Sequence, residues 1–447
     1  MEENICEKIT RLCEEKDIRA LAAMLSEINS VDIAEALGEL SMRDTALVYR
    51  LLPKEKAAEV FVELDSEKQR KLIEIFSDKE LRDTVNELYV DDTVDIISEM
   101  PATVVAKILK NASPDMRRMI NEMLLYPDDS AGSIMTPEYV SLKRNYTVSK
   151  AFDRIRSEGV DKETVYTCYV TENRRLVGIV TVKKMLLSSP DTKIEDIMEQ
   201  HVISVFTHDD KEKAAETIRK YGLLALPVVD TEMRLVGIVT FDDAIGVMQE
   251  EAAEDMEIMA AISPSEKPYI KTSVFEIWKK RIPWLLLLMI SATVTSRIIS
   301  SFENALAACV ALTAFIPMLM DTGGNAGSQA SVSVIRGLSM GEISPKDALR
   351  VFWKEFRVSL LCAATLAPVV FLKVKFVDRE TVAVSLTVAL TLFFTVCVAK
   401  VVGCLLPLLA KKLKFDPAVM ASPLITTLVD AISLSLYFAF ASRILGL

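Results

Sequence analysis

Histidine is almost missing from these 447 residues: only His201 and His208 occur. A zinc site of Cys and His ligands is therefore disfavoured. Cysteine is also sparse. The seven (Cys6, Cys13, Cys168, Cys309, Cys362, Cys397, Cys404) form no CxxC pair, and four lie in apolar stretches, which disfavours a secreted disulfide scaffold. No GxxxxGK[ST] sequence is found, so ATP-driven pumping is not expected. Met1–Glu15 is acidic and polar and is not read as a signal peptide, which needs a charged start followed by an apolar run. Positive charge is short in the first 272 residues, with 35 basic against 53 acidic residues, a net −18. From Ser273 onward the balance reverses to 17 basic and 10 acidic, a net +7. A nucleic-acid binder needs a basic soluble face, and the soluble part here has the opposite sign.

What the C-terminal part has in quantity is apolar length. A helix crosses a bilayer core of about 30 Å with roughly 20 mostly apolar residues. Five runs qualify: Ile282–Ser301, Ala305–Ile335, Val351–Leu372, Val382–Leu409 and Ala418–Leu447. The second is long and carries Gly323-Gly324 at its middle, which predicts a broken or unwound helix lining a cavity. Lys279, Lys280 and Arg281 precede the first run. Arg336, Lys346, Arg350, Lys354 and Arg357 surround the 2–3 loop, and Lys411, Lys412 and Lys414 lie in the 4–5 loop. By the positive-inside rule the acidic N-terminal part is cytoplasmic and the C-terminus lies outside.

The soluble part contains a repeat. Ile134-Met135 recurs as Ile197-Met198, and Arg175-Leu-Val-Gly-Ile-Val-Thr181 recurs as Arg234-Leu-Val-Gly-Ile-Val-Thr240. Each copy reads strand, amphipathic helix, strand, turn, strand, helix, and resembles one member of a tandem of CBS domains. Before it, Ala57–Leu64, Lys71–Phe76 and Val94–Met100 show helical apolar spacing separated by Pro53, Pro101 and Pro114, a stack of short helices. After it, Asp242–Ile262 reads as one amphipathic helix. Ile245, Met248, Ala252, Met256 and Met259 lie on one face and Glu250, Glu251, Glu254 and Asp255 on the other, with Pro264 and Pro268 ending it. The domain reading is 1–130 helical N domain, 131–241 CBS pair, 242–270 connecting helix and 271–447 membrane domain.

Ionisable residues inside a bilayer mark functional sites, and three stand out: Asp321, Lys400 and Asp430. Asp430 shares a helical face with Ser422, Thr426 and Ser433, and Asn325, Gln329 and Ser333 recur at spacing four. Oxygen ligands without sulfur or imidazole suit a hard cation, and magnesium, which keeps several waters, is held by one or two carboxylates. A helix-packing hydrogen bond is the alternative for Asp430, and interhelical bonding fits Asn325 and Gln329 as well as pore lining does. Lys400 is too deep to snorkel. Asp321 is its expected partner and Asp430 the second candidate.

Pro317-Met-Leu-Met-Asp-Thr-Gly-Gly-Asn-Ala-Gly-Ser-Gln329, Arg281-Ile-Pro-Trp284, Phe415-Asp-Pro-Ala418 and Thr427-Leu-Val-Asp430, with the domain order, closely resemble the MgtE family of magnesium channels. The resemblance implies a multi-domain α-helical integral membrane protein with a cytoplasmic helical-repeat N domain, α/β tandem CBS domains and five transmembrane helices. It further implies a homodimer in a bacterial cytoplasmic membrane, with two copies of Asp430 lining a shared pore and Asp416 near its cytoplasmic mouth. Cytoplasmic Mg2+ bound by Asp91, Asp95, Asp243, Glu251, Glu254 and Asp255 is implied to hold the pore shut. The net −18 fits, since divalent cations relieve self-repulsion, although each acid alone also reads as a solvated surface charge. Gly222 and Gly246 stand where relatives often carry acids, which predicts closure at higher magnesium than in a fully acidic relative. Some relatives bind adenine nucleotide in the CBS pair. Here the first repeat ends Thr181-Val-Lys-Lys184 where an acid for the ribose is expected, while the second has Asp243.

Two rival classes remain. A CBS-regulated anion channel needs basic groups at the pore centre, where Asp321 and Asp430 bring negative charge. A membrane enzyme needs a nucleophile–base pair, and the intramembrane serines have only Lys400 nearby. Within the cation class, Co2+, Ni2+ and Mn2+ are not ranked against Mg2+ by the sequence.

Overall fold

The computed structural model describes residues 5–265, 269–420 and 422–446. The chain divides into two compact units, one through Met248 and one from Gln249.

The first unit begins with ten short helices: α1 Ile5–Glu15, α2 Ile18–Glu27, α3 Ser30–Glu39, α4 Met42–Tyr49, α5 Lys54–Val62, α6 Ser66–Ile75, α7 Asp78–Val85, α8 Val90–Ser98, α9 Ala102–Asn111 and α10 Pro114–Met123. Most start at a capping side chain or a proline. Asp17, Asn29, Ser41, Asp65 and Ser113 accept hydrogen bonds from first-turn N–H groups, and Ser77 and Glu80 form a reciprocal capping box, each cap contributing about 1 kcal/mol. Pro53, Pro101 and Pro114 open helices and do not interrupt them. Alternate helices stack, α1 on α3, α3 on α5, α5 on α7 and α7 on α9. They bury one continuous core that includes Leu37, Val48, Phe61, Leu72 and Ile97.

The two repeats follow. β1 Tyr139–Leu142, α11 Val148–Glu158, β2 Thr164–Glu172, β3 Arg175–Thr181 and α12 Val182–Leu186 form the first, and a short α13 Ile194–Ile197 leads on. β4 Val205–Phe206, α14 Lys211–Tyr221, β5 Ala225–Val229, β6 Leu235–Thr240 and α15 Phe241–Met259 form the second. Both sheets have a parallel then an antiparallel pairing, β1-β2-β3 and β4-β5-β6. The two recurring motifs are physically one device, exchanged between copies. Thr136, after Ile134-Met135, pairs with Ile238 of the second sheet through bonds of 2.7 and 2.9 Å, and Glu199, after Ile197-Met198, pairs with Ile179 of the first. A Cβ on Gly178 would lie 2.8 Å from the sulfur of Met198, and one on Gly237 would lie 2.8 Å from that of Met135. Each glycine therefore leaves room for the other copy's methionine, so neither motif recurs without its counterpart.

α15 ends earlier than expected. Ala261 turns left-handed (φ 55°) and Ile262 N–H donates to the Glu257 carbonyl at 2.9 Å, closing the helix at Met259. Pro264 follows that turn; Pro268 lies outside the described residues. On the apolar face, Ile245, Met248 and Met256 are exposed. Ala244 and Val247, on another face, pack into the second repeat's core and set the rotation of the helix.

The second unit is helical: α16 Val274–Ser301, α17 Glu303–Ala308, α18 Ile316–Ser339, α19 Ala348–Leu372, α20 Val382–Lys412 and α21 Ser422–Leu445. Four helical stretches, Val274–Ser301, Pro345–Val377, Val382–Lys412 and Pro417–Leu445, are long and apolar enough to cross a membrane. α18 is about 36 Å long by its 24 residues, but its polar positions keep it out of that class, so the second of the five expected spans does not qualify on composition among the described residues. The break expected at Gly323-Gly324 is not there. It falls at Cys309–Phe315, where a 3-10 segment separates α17 from α18, and the glycines sit inside a regular helix. Their use is close approach. A Cβ on Gly323 would lie 2.6 Å from Thr395 Cγ2, and one on Gly324 would lie 2.9 Å from Thr426 Cγ2. One on Gly403 would overlap the Gly327 carbonyl.

Candidate functional site

α18 presents two faces. Gly323, Gly324 and Gly327 pack on α20 and on Ile425, Thr426, Val429 and Ser433 of α21. Asp321, Asn325 and Gln329, four residues apart, lie on the other side. With Thr322 of α18, Cys362 of α19 and Lys400 of α20 they line a cavity of about 190 Å³. Of the expected pore residues, Thr426 packs on Gly324 and Asn325 borders the Lys400 cavity.

Asp430 is half-buried on α21, within electrostatic reach of Asp321. Its Oδ1 is fully buried and accepts no hydrogen bond, so no packing bond accounts for that oxygen. Ser433, expected on the same polar stripe, is completely buried and donates to its own helix at Val429 O, 2.7 Å. The Ser422 side chain lies outside the described residues. The Lys400–Asp321 ion pair is not formed. Both residues line the cavity, but no ion pair within 4.0 Å joins Lys400 to Asp321 or Asp430 among the described residues. The cavity itself keeps the two charges apart.

Asp416 Oδ1 accepts from Ala418 N–H at 2.8 Å and so shapes the turn that leads into α21. Asp416 also acts on Asp255, whose carboxyl is pushed up by burial and then by that negative neighbour. Ser339, donating at 3.3 Å, and Lys411 oppose the shift. Glu251 stands one turn before Asp255 and Glu254 directly precedes it; Glu254 is exposed.

A larger acidic cluster lies in the first unit. Asp91 and Asp92 on α8 face Glu138, Glu163 and the Asp242–Asp243 start of α15. Burial, reinforced by these neighbours, raises Asp91 well above the usual carboxylate range, Asp92 to about 7 and Glu163 to about 8. Asp243 is raised for the same first reason, opposed by a hydrogen bond from Thr240. Asp91 Oδ1 and Glu163 Oε2 are buried without a hydrogen-bond partner. Glu138 Oε2 accepts from Val90 N–H at 3.2 Å and Thr136 Oγ1 at 3.0 Å. Among the described residues no three carboxylates converge closely enough to hold a bare ion. Of the expected sensor acids in this unit, Asp91 and Asp243 meet, while Asp95 is exposed and acts through Asp92. Asp92, Glu138, Glu163 and Asp242 also join this cluster, and none of them is among the acids expected from the sequence.

Gly222 is more than a missing acid. It ends α14 in the left-handed region at φ 62°, whereas Gly246 lies inside α15 with no atom within 4 Å of a Cβ. Gly222→Asp is therefore expected to cost about 1 kcal/mol, and Gly246→Asp to gain about 0.3 kcal/mol of helix stability. Thermal unfolding of the two variants checks this ordering.

Residues 316–440 match the family described as divalent cation transporter (MgtE), 28–129 match the MgtE intracellular N domain, and 131–190 and 194–250 match CBS domains. The magnesium transporter MgtE of Thermus thermophilus is 34% identical over 452 residues, spanning 100% of this chain and 99% of that one. That of Bacillus subtilis is 32% identical over 97% and 96%. Among solved structures, the soluble part of a magnesium transporter covers 56% of this chain and 98% of its own at 30% identity and TM-score 0.53. The cytosolic domain of the Mg2+ channel MgtE in complex with ATP covers 54% and 100% at 34% identity and TM-score 0.52. With relatives above 30% identity matched from end to end, the chain belongs to the MgtE family of magnesium transporters and is a multi-pass membrane protein.

Proposed function

We propose that this protein is a magnesium-selective channel that mediates Mg2+ uptake across a bacterial cytoplasmic membrane and is closed by cytoplasmic Mg2+. The observation that carries the reading is Asp430, whose buried, unpartnered carboxylate oxygen lies within electrostatic reach of Asp321. An unsatisfied charge at that depth is costly to keep unless an ion uses it. In a homodimer two copies of Asp430 flank one pathway, α18 serves as the fifth, polar span, and Asp416 guards the cytoplasmic end. Oxygen-only ligands admit Mg2+ and leave room for Co2+, Ni2+ or Mn2+.

The two acidic clusters support the closing role. Carboxylates raised toward neutrality by burial and then by one another are relieved by a divalent cation, and spacing too wide for a bare ion suits one that keeps its waters. For ATP, the first repeat offers Lys183 and Lys184 and the second an Asp243 already engaged by Thr240, so nucleotide is a lesser ligand here than Mg2+. The test is flux through the reconstituted chain. Mg2+ should enter passively and follow an inside-negative potential, Ca2+ and chloride should pass poorly, and millimolar internal Mg2+ should stop the flow. Chloride permeation, or flow indifferent to internal Mg2+, rejects the proposal.

A further inference from the structure

Lys400 sits on α20 with 5 % of its surface exposed. It takes part in no hydrogen bond or ion pair among the described residues, yet it borders the cavity lined by Asp321, Thr322, Asn325, Gln329 and Cys362. An ammonium at that depth with neither water nor partner costs several kcal/mol. A cavity of about 190 Å³ is wide enough for water, and the amides and hydroxyl on its wall give that water partners. The lining then carries one positive and one negative charge, held apart on α20 and α18, next to the helix that packs against Asp430's own.

We propose that Lys400 is a fixed counter-charge that weakens the hold of the membrane pathway on its cation, so that the ion leaves as readily as it enters. The proposal rests on the reading that a divalent cation passes through this unit. Tight binding slows conduction, and an ammonium near the carboxylates offsets part of their attraction without blocking the path. The planar five-donor head of Arg keeps the charge, whereas Met keeps the length and removes it.

The experiment is initial Mg2+ uptake by the full chain in proteoliposomes, measured against external Mg2+. One unit charge acting on a divalent ion about 10 Å away through water changes affinity about four-fold. Lys400→Met should therefore lower the half-saturating Mg2+ concentration about four-fold and reduce the maximal rate, and Lys400→Arg should keep the wild-type value. Asp321→Asn should raise it by a similar factor, and the double variant Lys400→Met with Asp321→Asn should return close to wild type. An unchanged half-saturation in Lys400→Met, or a shift in Lys400→Arg as large as in Met, overturns the proposal. Should Lys400→Met not be recovered folded, Asp321→Asn decides alone: no rise in half-saturation overturns it. Asp430→Asn separates the two readings. If it still conducts, the pathway reading fails; if it does not and the Lys400 and Asp321 variants stay at wild type, only the counter-charge fails.

Discussion

Replacing Asp430 by Asn should reduce magnesium flux at least about 100-fold, because a charge facing a divalent ion at contact in an environment of effective dielectric near 20 is worth several kcal/mol. The amide preserves shape and volume. Since Oδ1 accepts no hydrogen bond from the protein, the substitution removes no contact made there and relieves a buried negative charge, so the membrane unit should be no less stable in detergent. That combination separates conduction from packing: a residue kept only for a helix–helix hydrogen bond would be served by Asn, and flux would persist. Uptake by reconstituted wild type and Asp430→Asn, with thermal stability measured on the same preparations, checks both halves. Near-normal flux in the variant sinks the pore assignment whatever its stability.

Local pattern carried much of the architecture. Helical spacing with prolines at the joints is enough to read the N domain, because capping side chains or prolines close to each joint open most of its helices. The seven-residue identity on β3 and β6 is enough to read the CBS pair. What the repeat could not reveal is why it recurs: the contacts of Met135 with Gly237 and Met198 with Gly178 join residues far apart in sequence. The same limit applies to α18. Gly-Gly reads as a break when the neighbours are unknown, and as a seat for α20 and α21 once they are present.

The site was legible in proportion to how much one helix decides. Asp430 announced itself by depth alone. Asn325 and Thr426 read as members of separate polar faces of two helices; the glycines of α18 turn one side of it to α20 and α21, and Asn325 borders the Lys400 cavity. The family resemblance points to Asp91 and Asp95 on α8, whereas burial beside Glu138, Glu163 and Asp243 favours Asp91 and Asp92. On α15 the buried side is chosen by Ala244 and Val247, which the apolar face alone does not reveal.

The acidic cluster makes stability depend on pH and magnesium together. Asp91, Asp92, Glu163 and Asp243 hold protons more tightly in the folded chain than carboxylates do when unfolded, with Asp92 at about 7 and Glu163 at about 8. A raised acid contributes stability that is complete below the unfolded value near 4 and is lost as pH climbs through the folded one. With chelator present, the unfolding temperature of the soluble unit within the full chain should therefore fall from pH 5 to pH 8, by about 5 °C for a unit of this size; Glu163 contributes less than its shift suggests because water reaches it. Magnesium replaces the protons, so millimolar Mg2+ at pH 8 should restore most of the loss by binding only the folded form. The variant Asp91→Asn with Asp92→Asn and Glu163→Gln should melt higher than wild type at pH 8 in chelator, lose most of the pH slope and gain little from Mg2+. Its flux should also stay open at internal Mg2+ that closes the wild type, about ten-fold higher if three of the clustered carboxylates supply 1.4 kcal/mol of the binding. A wild-type melting temperature that rises toward pH 8 without Mg2+ would mean that these carboxylates find partners on folding and that the repulsion is not there for magnesium to relieve.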